Sequence, residues 1–100
     1  MRENGKRETG KEKLGTGWAM WIVYVLRCAD GSLYTGITND LARRLERHRA
    51  GTASAFTRSR RPVRLVYQER QPTRSAALRR EAALRSLSRP EKLALVRRKR

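Results

Sequence analysis

The sequence predicts an α+β domain with a small three-stranded antiparallel sheet flanked by helices, in the order β-β-α-β-α-α. Three observations support this fold class: two strand-like segments joined by a turn signal, a third alternating segment after a proline, and Ala- and Leu-rich segments preceded by helix-capping residues. A chain of 100 residues that is 38% hydrophobic supports one core of modest size. We therefore expect one folded domain, from residue 18 to residue 100.

The first 17 residues differ from the rest of the chain. Glycines and charged side chains dominate them, so they offer little apolar surface to offset the entropy lost on ordering. We expect a disordered basic and polar tail over residues 1–17. The sequence has no run of roughly 20 apolar residues to cross a bilayer, and the tail lacks the apolar core of a secretory signal. The expected location is the cytoplasm, with no membrane contact.

The two first strands are predicted over residues 21–26 and 33–37, with a turn at residues 29–32. A two-residue loop would place Tyr24 and Tyr34 on opposite faces of the sheet. A three-residue loop over residues 29–31, with Gly31 in the left-handed region, would pair Tyr24 with Gly36 and leave both hydroxyl groups on one face. In that register Gly36 leaves room for the ring of Tyr24.

A first helix is predicted to follow the hairpin. Thr38, Asn39 and Asp40 are candidate N-caps, and Gly51 ends the helix after about residue 50. Residues 52–61 are polar and basic and predict a loop, in which Phe56 is expected to pack rather than to stack on a base. The third strand is predicted over residues 63–67, after Pro62.

Two helices complete the predicted fold. The first begins after Pro72, where Thr73 or Ser75 serves as the cap. Residues 88–91 form a capping box, which starts a last helix that reaches about residue 96.

Charge indicates the class of partner. The 25 Lys and Arg residues against 9 Asp and Glu residues give a formal net charge of +16, which favours a polyanion such as DNA, with RNA as an alternative. One His and one Cys exclude an internal disulfide and a His/Cys metal cluster. A Gly-rich phosphate loop and the paired acids of a two-metal nuclease are also missing from the sequence.

Glu81 is the unusual acidic residue. It falls on or beside the apolar stripe of its predicted helix, where a carboxylate needs a partner or a metal ion. The simpler interpretation is an i,i+4 ion pair with Arg85. Arg44 and His48 are likewise four residues apart, at the edge of the buried face of the first helix, and their simpler interpretation is an ordinary basic helix.

These residues form an ordered set along the chain: Val23-Tyr24-Val25, Tyr34-Thr35-Gly36, Arg44 with His48, and a helical Glu81. The set resembles the GIY-YIG nuclease domain over roughly residues 20–97, and it is most similar to the small single-domain bacterial members of the URI type. The sequence departs from several family members at Ile37, where they carry a lysine soon after the second motif.

The resemblance implies an endonuclease that hydrolyses phosphodiester bonds in DNA with one Mg²⁺ or Mn²⁺ ion held by Glu81. Arg44 would stabilise the transition state and either Tyr24 or Tyr34 would activate water, with His48 accepting a proton and Gly36 in a structural role. Branched, nicked or single-stranded DNA are candidate substrates, in repair or recombination.

Basic residues outside this set are predicted to contact the nucleic-acid backbone: Arg58, Arg60, Arg61, Arg97, Arg98, Lys99 and Arg100. Two other functions remain open from the sequence. One is a non-catalytic module on the same fold that binds DNA or RNA, and the other is a nuclease domain that serves a protein partner.

Overall fold

A computed structural model describes residues 20–99, without the side chain of Lys99. The predicted tail over residues 1–17 and the predicted nucleic-acid contacts of Lys99 and Arg100 lie outside what is described. In the part of the chain that the structure covers, no helix has the length and apolar character needed to cross a membrane.

The predicted hairpin is formed by β1 (Trp21–Arg27) and β2 (Leu33–Thr38). Gly31 has a φ of 86°, which is why a glycine is needed in this turn. The amide of Cys28 donates to the carbonyl oxygen of Ser32 at 2.9 Å and closes the three-residue loop. Tyr24 therefore lies opposite Gly36, so the three-residue alternative for the loop is confirmed.

The next two elements are helices, and only the first was predicted. Helix α1 (Leu41–Ala50) begins at Asp40, whose side chain accepts from the amide of Arg43, and ends at Gly51 with a φ of 83°. Helix α2 (Ala55–Arg58) lies where the sequence predicted a loop. That prediction was wrong because four residues are too few for a helical repeat of apolar residues to be visible.

Strand β3 (Arg64–Gln71) pairs antiparallel with β1 and gives the sheet the order β2-β1-β3. It continues four residues beyond the predicted end, up to the pairing of Trp21 with Gln71. The polar residues 68–71 hid this extension, since backbone pairing with β1 does not depend on their side chains. Glu69 consequently lies within β3.

Helix α3 (Arg74–Arg85) begins at Thr73, whose hydroxyl accepts from the amide of Ala76 at 3.0 Å. Helix α4 (Arg89–Lys99) begins with the predicted capping box, in which Ser88 and Glu91 each accept from the backbone amide of the other. It extends past the predicted end at residue 96. The observed order is therefore β-β-α-α-β-α-α.

The sheet separates two clusters of buried side chains, because successive residues of β1 point to opposite faces. Val23 and Val25 pack on one face with residues of α3 and α4, while Tyr24 and Leu26 pack on the other with residues of α1. Tyr34 belongs to this second face, so both tyrosines of the hairpin lie beneath α1. The predicted α+β class with a flanked three-stranded sheet is confirmed.

Candidate active site

Tyr24 lies at the centre of the site, in the middle strand, with only 1% of its surface exposed. Its ring covers Gly36 on the neighbouring strand. A Cβ atom at position 36 would lie 2.6 Å from the Tyr24 hydroxyl oxygen, which is closer than real Cβ contacts allow. Only glycine fits at this position while the tyrosine keeps its place.

His48 is fully buried, at 0% exposure, and not at the edge of the apolar face as the sequence suggested. Its Nε2 atom lies 2.8 Å from the Tyr24 hydroxyl oxygen, and its Nδ1 atom lies 2.8 Å from Thr57 Oγ1. The prediction was wrong about burial because the covering residue, Thr57, belongs to the unpredicted helix α2.

Tyr34 lines the same site and is half-buried. Its ring centroid is 6.5 Å from that of Tyr24 and 5.3 Å from that of His48. On its other side Phe56 stacks at 5.8 Å, and the guanidinium of Arg60 lies 3.9 Å from the Phe56 centroid. Phe56 thus contacts the site through Tyr34, while 38% of its own surface stays exposed.

Two charged residues act on the Tyr24 hydroxyl from different helices: Arg44 on α1 and Glu81 on α3, both half-buried. The pKa of Tyr24 is raised, first by burial, then by the neighbouring Tyr34; the positive charge of Arg44 opposes the rise and the negative charge of Glu81 adds to it. Within the described residues no ion pair joins Glu81 to Arg85, so the simpler interpretation of Glu81 is not realised.

The imidazole of His48 is held in its neutral form. Its pKa is lowered by burial and, to a smaller extent, by the positive charges of Arg44 and Arg47. A neutral imidazole keeps one nitrogen lone pair, so His48 is able to receive a proton.

Among the described residues, Glu81 is the carboxylate whose charge acts on Tyr24. Among residues 20–99, no three His, Cys, Asp or Glu side chains are grouped as metal ligands. A half-buried carboxylate whose charge acts on the protonated phenol of Tyr24 fits a hard cation such as Mg²⁺, which retains several of its own waters. The donor set does not fit zinc, which takes three or four protein ligands.

The predicted nucleic-acid contacts divide into two groups. The guanidinium of Arg60 pairs with Asp30 at 3.2 Å, and that of Arg61 donates to the carbonyl oxygens of Arg58 and Arg49 at 3.1 Å each. These two side chains therefore hold the segment around α2 in place. Arg58, Arg97 and Arg98 are exposed and lie outside the cluster around Tyr24.

A polar cleft of about 240 Å³ opens at the beginning of α1 and includes Arg44. Neither this cleft nor the contact of Thr57 with His48 was predicted from the sequence. The spacing of Arg43, Arg44 and Arg47 is compatible with such a cleft, because a helix places these three side chains side by side. The same spacing is typical of any basic helix, so it does not predict a cleft. The lining residues are Thr38, Asn39, Asp40, Arg43, Arg44 and Arg47.

Comparisons with known proteins show which family this chain resembles. The model of the GIY-YIG catalytic domain matches residues 20–94. A UPF0213 protein of Desulfotalea psychrophila is 52% identical over 77 residues, which cover 76% of this chain and 70% of that protein. A UPF0213 protein of Staphylococcus aureus is 47% identical over 75 residues, which cover 75% of this chain and 92% of that protein.

Two solved structures are similar to the fold. The solution NMR structure of a UPF0213 protein from Bacillus halodurans has a TM-score of 0.54 and 42% identity, covering 80% of this chain and 85% of that one. The solution NMR structure of a protein from E. faecalis has a TM-score of 0.53 and 38% identity, covering 76% and 82%.

Proposed function

The chain belongs to the GIY-YIG family, and from this membership we propose that it is an endonuclease that hydrolyses phosphodiester bonds in DNA with one divalent cation. The observation that carries the proposal is the buried hydrogen bond between Tyr24 and His48. The charge of Arg44 acts on both groups, and that of Glu81 acts on Tyr24. A surface that only binds nucleic acid has no use for a buried phenol paired with a neutral imidazole, because backbone contacts need only exposed donors and positive charge.

Tyr24 is the proposed general base. As the attacking water transfers a proton to the phenol oxygen, the phenol hydrogen moves along the 2.8 Å hydrogen bond to His48 Nε2. The water oxygen forms a bond to phosphorus, the bond to the 3′ oxygen breaks, and the leaving oxygen takes a proton from solvent. Tyr24 is favoured over Tyr34 since it has a neutral imidazole within reach to receive its proton.

Arg44 supplies fixed positive charge to the phosphate. Its guanidinium is half-buried beside Tyr24, so its field is less screened than that of a fully exposed arginine. A planar guanidinium also matches two phosphate oxygens at once, which orients the phosphate toward the hydroxyl.

Glu81 is the proposed ligand of the cation. Mg²⁺ or Mn²⁺ held by this carboxylate would supply positive charge to offset that of the phosphate and the leaving oxygen.

The cleft beside Arg44 is the proposed path of the DNA backbone. Its lining arginines, Arg43 and Arg47, are exposed and contact phosphates without selecting bases. Branched, nicked and single-stranded DNA remain the candidate substrates, and RNA is tested beside them.

The test is a cleavage panel of single-stranded, nicked, flap and four-way DNA, with RNA, in the presence of Mg²⁺, Mn²⁺ or a chelator. We expect metal-dependent cleavage that Glu81→Ala abolishes, with DNA affinity equal or higher because a negative charge is removed. Glu46→Ala, which removes an exposed carboxylate of α1, is the matched control and should cleave normally.

A second pair of variants distinguishes the tyrosines. Tyr24→Phe keeps the ring and should lower the cleavage rate by about 10²-fold or more, since general-base catalysis contributes this much. Tyr34→Phe should lower the cleavage rate by a smaller factor.

Persistent cleavage by Glu81→Ala would contradict the role of Glu81. No cleavage of any substrate by the wild type would favour the non-catalytic binding module.

A further inference from the structure

The hydrogen bonds at Tyr24 continue beyond His48. His48 Nδ1 lies 2.8 Å from Thr57 Oγ1, which in turn lies 2.8 Å from Ser54 Oγ. Tyr24, His48 and Thr57 are each at most 1% exposed. The three side chains therefore form a buried row that leads from the reacting phenol to helix α2.

The direction of each hydrogen bond follows from counting hydrogens. A neutral imidazole has one N–H group and one lone pair, so only one of its nitrogens accepts. Among the described residues, His48 Nε2 is the hydrogen-bond partner of the Tyr24 hydroxyl. Since a buried hydroxyl hydrogen needs an acceptor, it points at Nε2, and the imidazole hydrogen must then be on Nδ1.

The remaining hydrogens fit the same direction. Nδ1–H donates to Thr57 Oγ1, and the Thr57 hydroxyl hydrogen points to Ser54, whose Oγ lies at 2.8 Å and whose carbonyl oxygen lies at 3.4 Å. In the reverse arrangement Nε2 would donate to Tyr24, and the Tyr24 hydrogen would lose this acceptor in a fully buried place.

Helix α2 is built to hold Thr57 at this position. Ser54 is its N-cap and accepts from the amide of Thr57 at 3.2 Å. Arg61 then joins the ends of the two helices, since its guanidinium donates to the carbonyl oxygens of Arg58 on α2 and Arg49 on α1. The short helix is thereby fixed against the helix that carries His48.

We propose that Thr57 is a positioning residue, whose hydroxyl accepts the Nδ1 hydrogen of His48 and thereby keeps Nε2 as the atom that receives the Tyr24 proton. The catalytic meaning of this role rests on the proposed function. The tautomer itself is a property of the resting protein, so it is measurable without any cleavage assay.

His48 is the only histidine of the chain, which makes the measurement direct. In protein labelled with ¹⁵N-histidine, one pair of ring signals reports which nitrogen carries the hydrogen. We expect protonated Nδ1 and unprotonated Nε2 in the wild type near pH 7.5. In Thr57→Val, which keeps the shape but removes the acceptor, the signals should shift toward the Nε2–H tautomer.

The same variants are then assayed for cleavage. Thr57→Val should lower kcat by about 10- to 100-fold, as loss of a group that orients a functional histidine does, with KM little changed. Thr57→Ser keeps the hydroxyl and should restore both the Nδ1–H tautomer and most of kcat. A change in stability alone would move neither the tautomer nor the ratio of the two variants.

A wild-type spectrum with hydrogen on Nε2 would overturn the proposal, whether or not the protein cleaves DNA and whether or not Thr57→Val folds. A folded Thr57→Val with the Nδ1–H tautomer and normal kcat would also overturn it. If the expected tautomer is found and responds to Thr57→Val while no substrate is cleaved, the hydrogen-bond assignment is upheld and the proposed nuclease function is what fails.

Discussion

Tyr24 lies in surroundings that oppose the ionised form of its own side chain. Burial is the main reason that its pKa is raised, and Arg44 is the charge that works in the opposite direction. The resting phenol is therefore protonated at neutral pH, so any role in activating water requires its proton to leave as the new one arrives. Neutral His48 at 2.8 Å provides the place for that proton.

Gly36 is the residue on which the position of this phenol depends most directly. In Gly36→Ala the new Cβ atom would collide with the Tyr24 hydroxyl at 2.6 Å, so the ring must move off His48. We expect the free energy of unfolding to fall by about 1–3 kcal/mol, as for overpacked cores, and cleavage to fall with it. Urea unfolding and a single-turnover assay measure the two effects.

Gly31→Ala is the control for this substitution. Gly31 has a φ of 86°, so alanine there is strained and also costs stability, by about 1 kcal/mol. Its nearest neighbour is the end of the Arg89 side chain, away from the site, so cleavage should persist. Equal cleavage by Gly36→Ala and Gly31→Ala would contradict the idea that the glycine makes room for Tyr24.

His48 gives the protein a stability that depends on pH. Because its folded-state pKa is below the ordinary value of about 6.5, the unfolded chain binds more protons as the pH falls below that value. The free energy of unfolding should therefore decrease from about pH 6.5 downward, before carboxyl groups titrate near pH 4. Urea titrations at several pH values should show this decrease in the free energy of unfolding for the wild type and a smaller decrease for His48→Gln.

At the scale of the elements, local sequence signals predicted the hairpin and three of the four helices. The hairpin register followed from Gly31, since one left-handed residue selects the loop length, and loop length determines which residues pair. Helix α2 was not predictable in this way. It is held by side chains from outside the helix, including Arg61 in the connection to β3, and by a serine cap that is also typical of loops.

In the site, too, local sequence signals predicted only the contacts that arise within one hairpin. Tyr24, Tyr34 and Gly36 were placed together by strand pairing, which is short-range information. The burial of His48 depends on Thr57 nine residues later, across a turn whose path the sequence does not specify. Glu81 was predicted as a carboxylate on an apolar stripe, but the effect of its charge on Tyr24 depends on how α3 packs on the sheet.

At the scale of the whole molecule, the net charge of +16 does not by itself show which basic residues are free to bind DNA. Some arginines bind the protein itself, such as Arg60 with Asp30, whereas Arg43 lines the open cleft beside the site. Arg43→Ala should therefore lower the slope of log affinity against log salt for DNA by about one, the value of one phosphate contact. Binding titrations at several salt concentrations measure it.

Arg60→Ala removes the same charge and is the control for Arg43→Ala. Its guanidinium already pairs with Asp30 and donates to the carbonyl oxygen of Phe56 at 2.9 Å, so the salt slope should change less. A larger change for Arg60→Ala than for Arg43→Ala would place the DNA on the α2 side of the molecule.

The three-residue turn of the hairpin also limits how the length of this chain can vary in evolution. A pairing shift of one residue between β1 and β2 would turn Tyr34 to the opposite face and put a side chain other than glycine against Tyr24. An insertion at residues 29–31 that shifts the pairing would thus separate the two tyrosines while leaving most of the sheet intact. Natural variants should keep the length of this turn, and insertions should be found in connections that do not set the spacing of site residues.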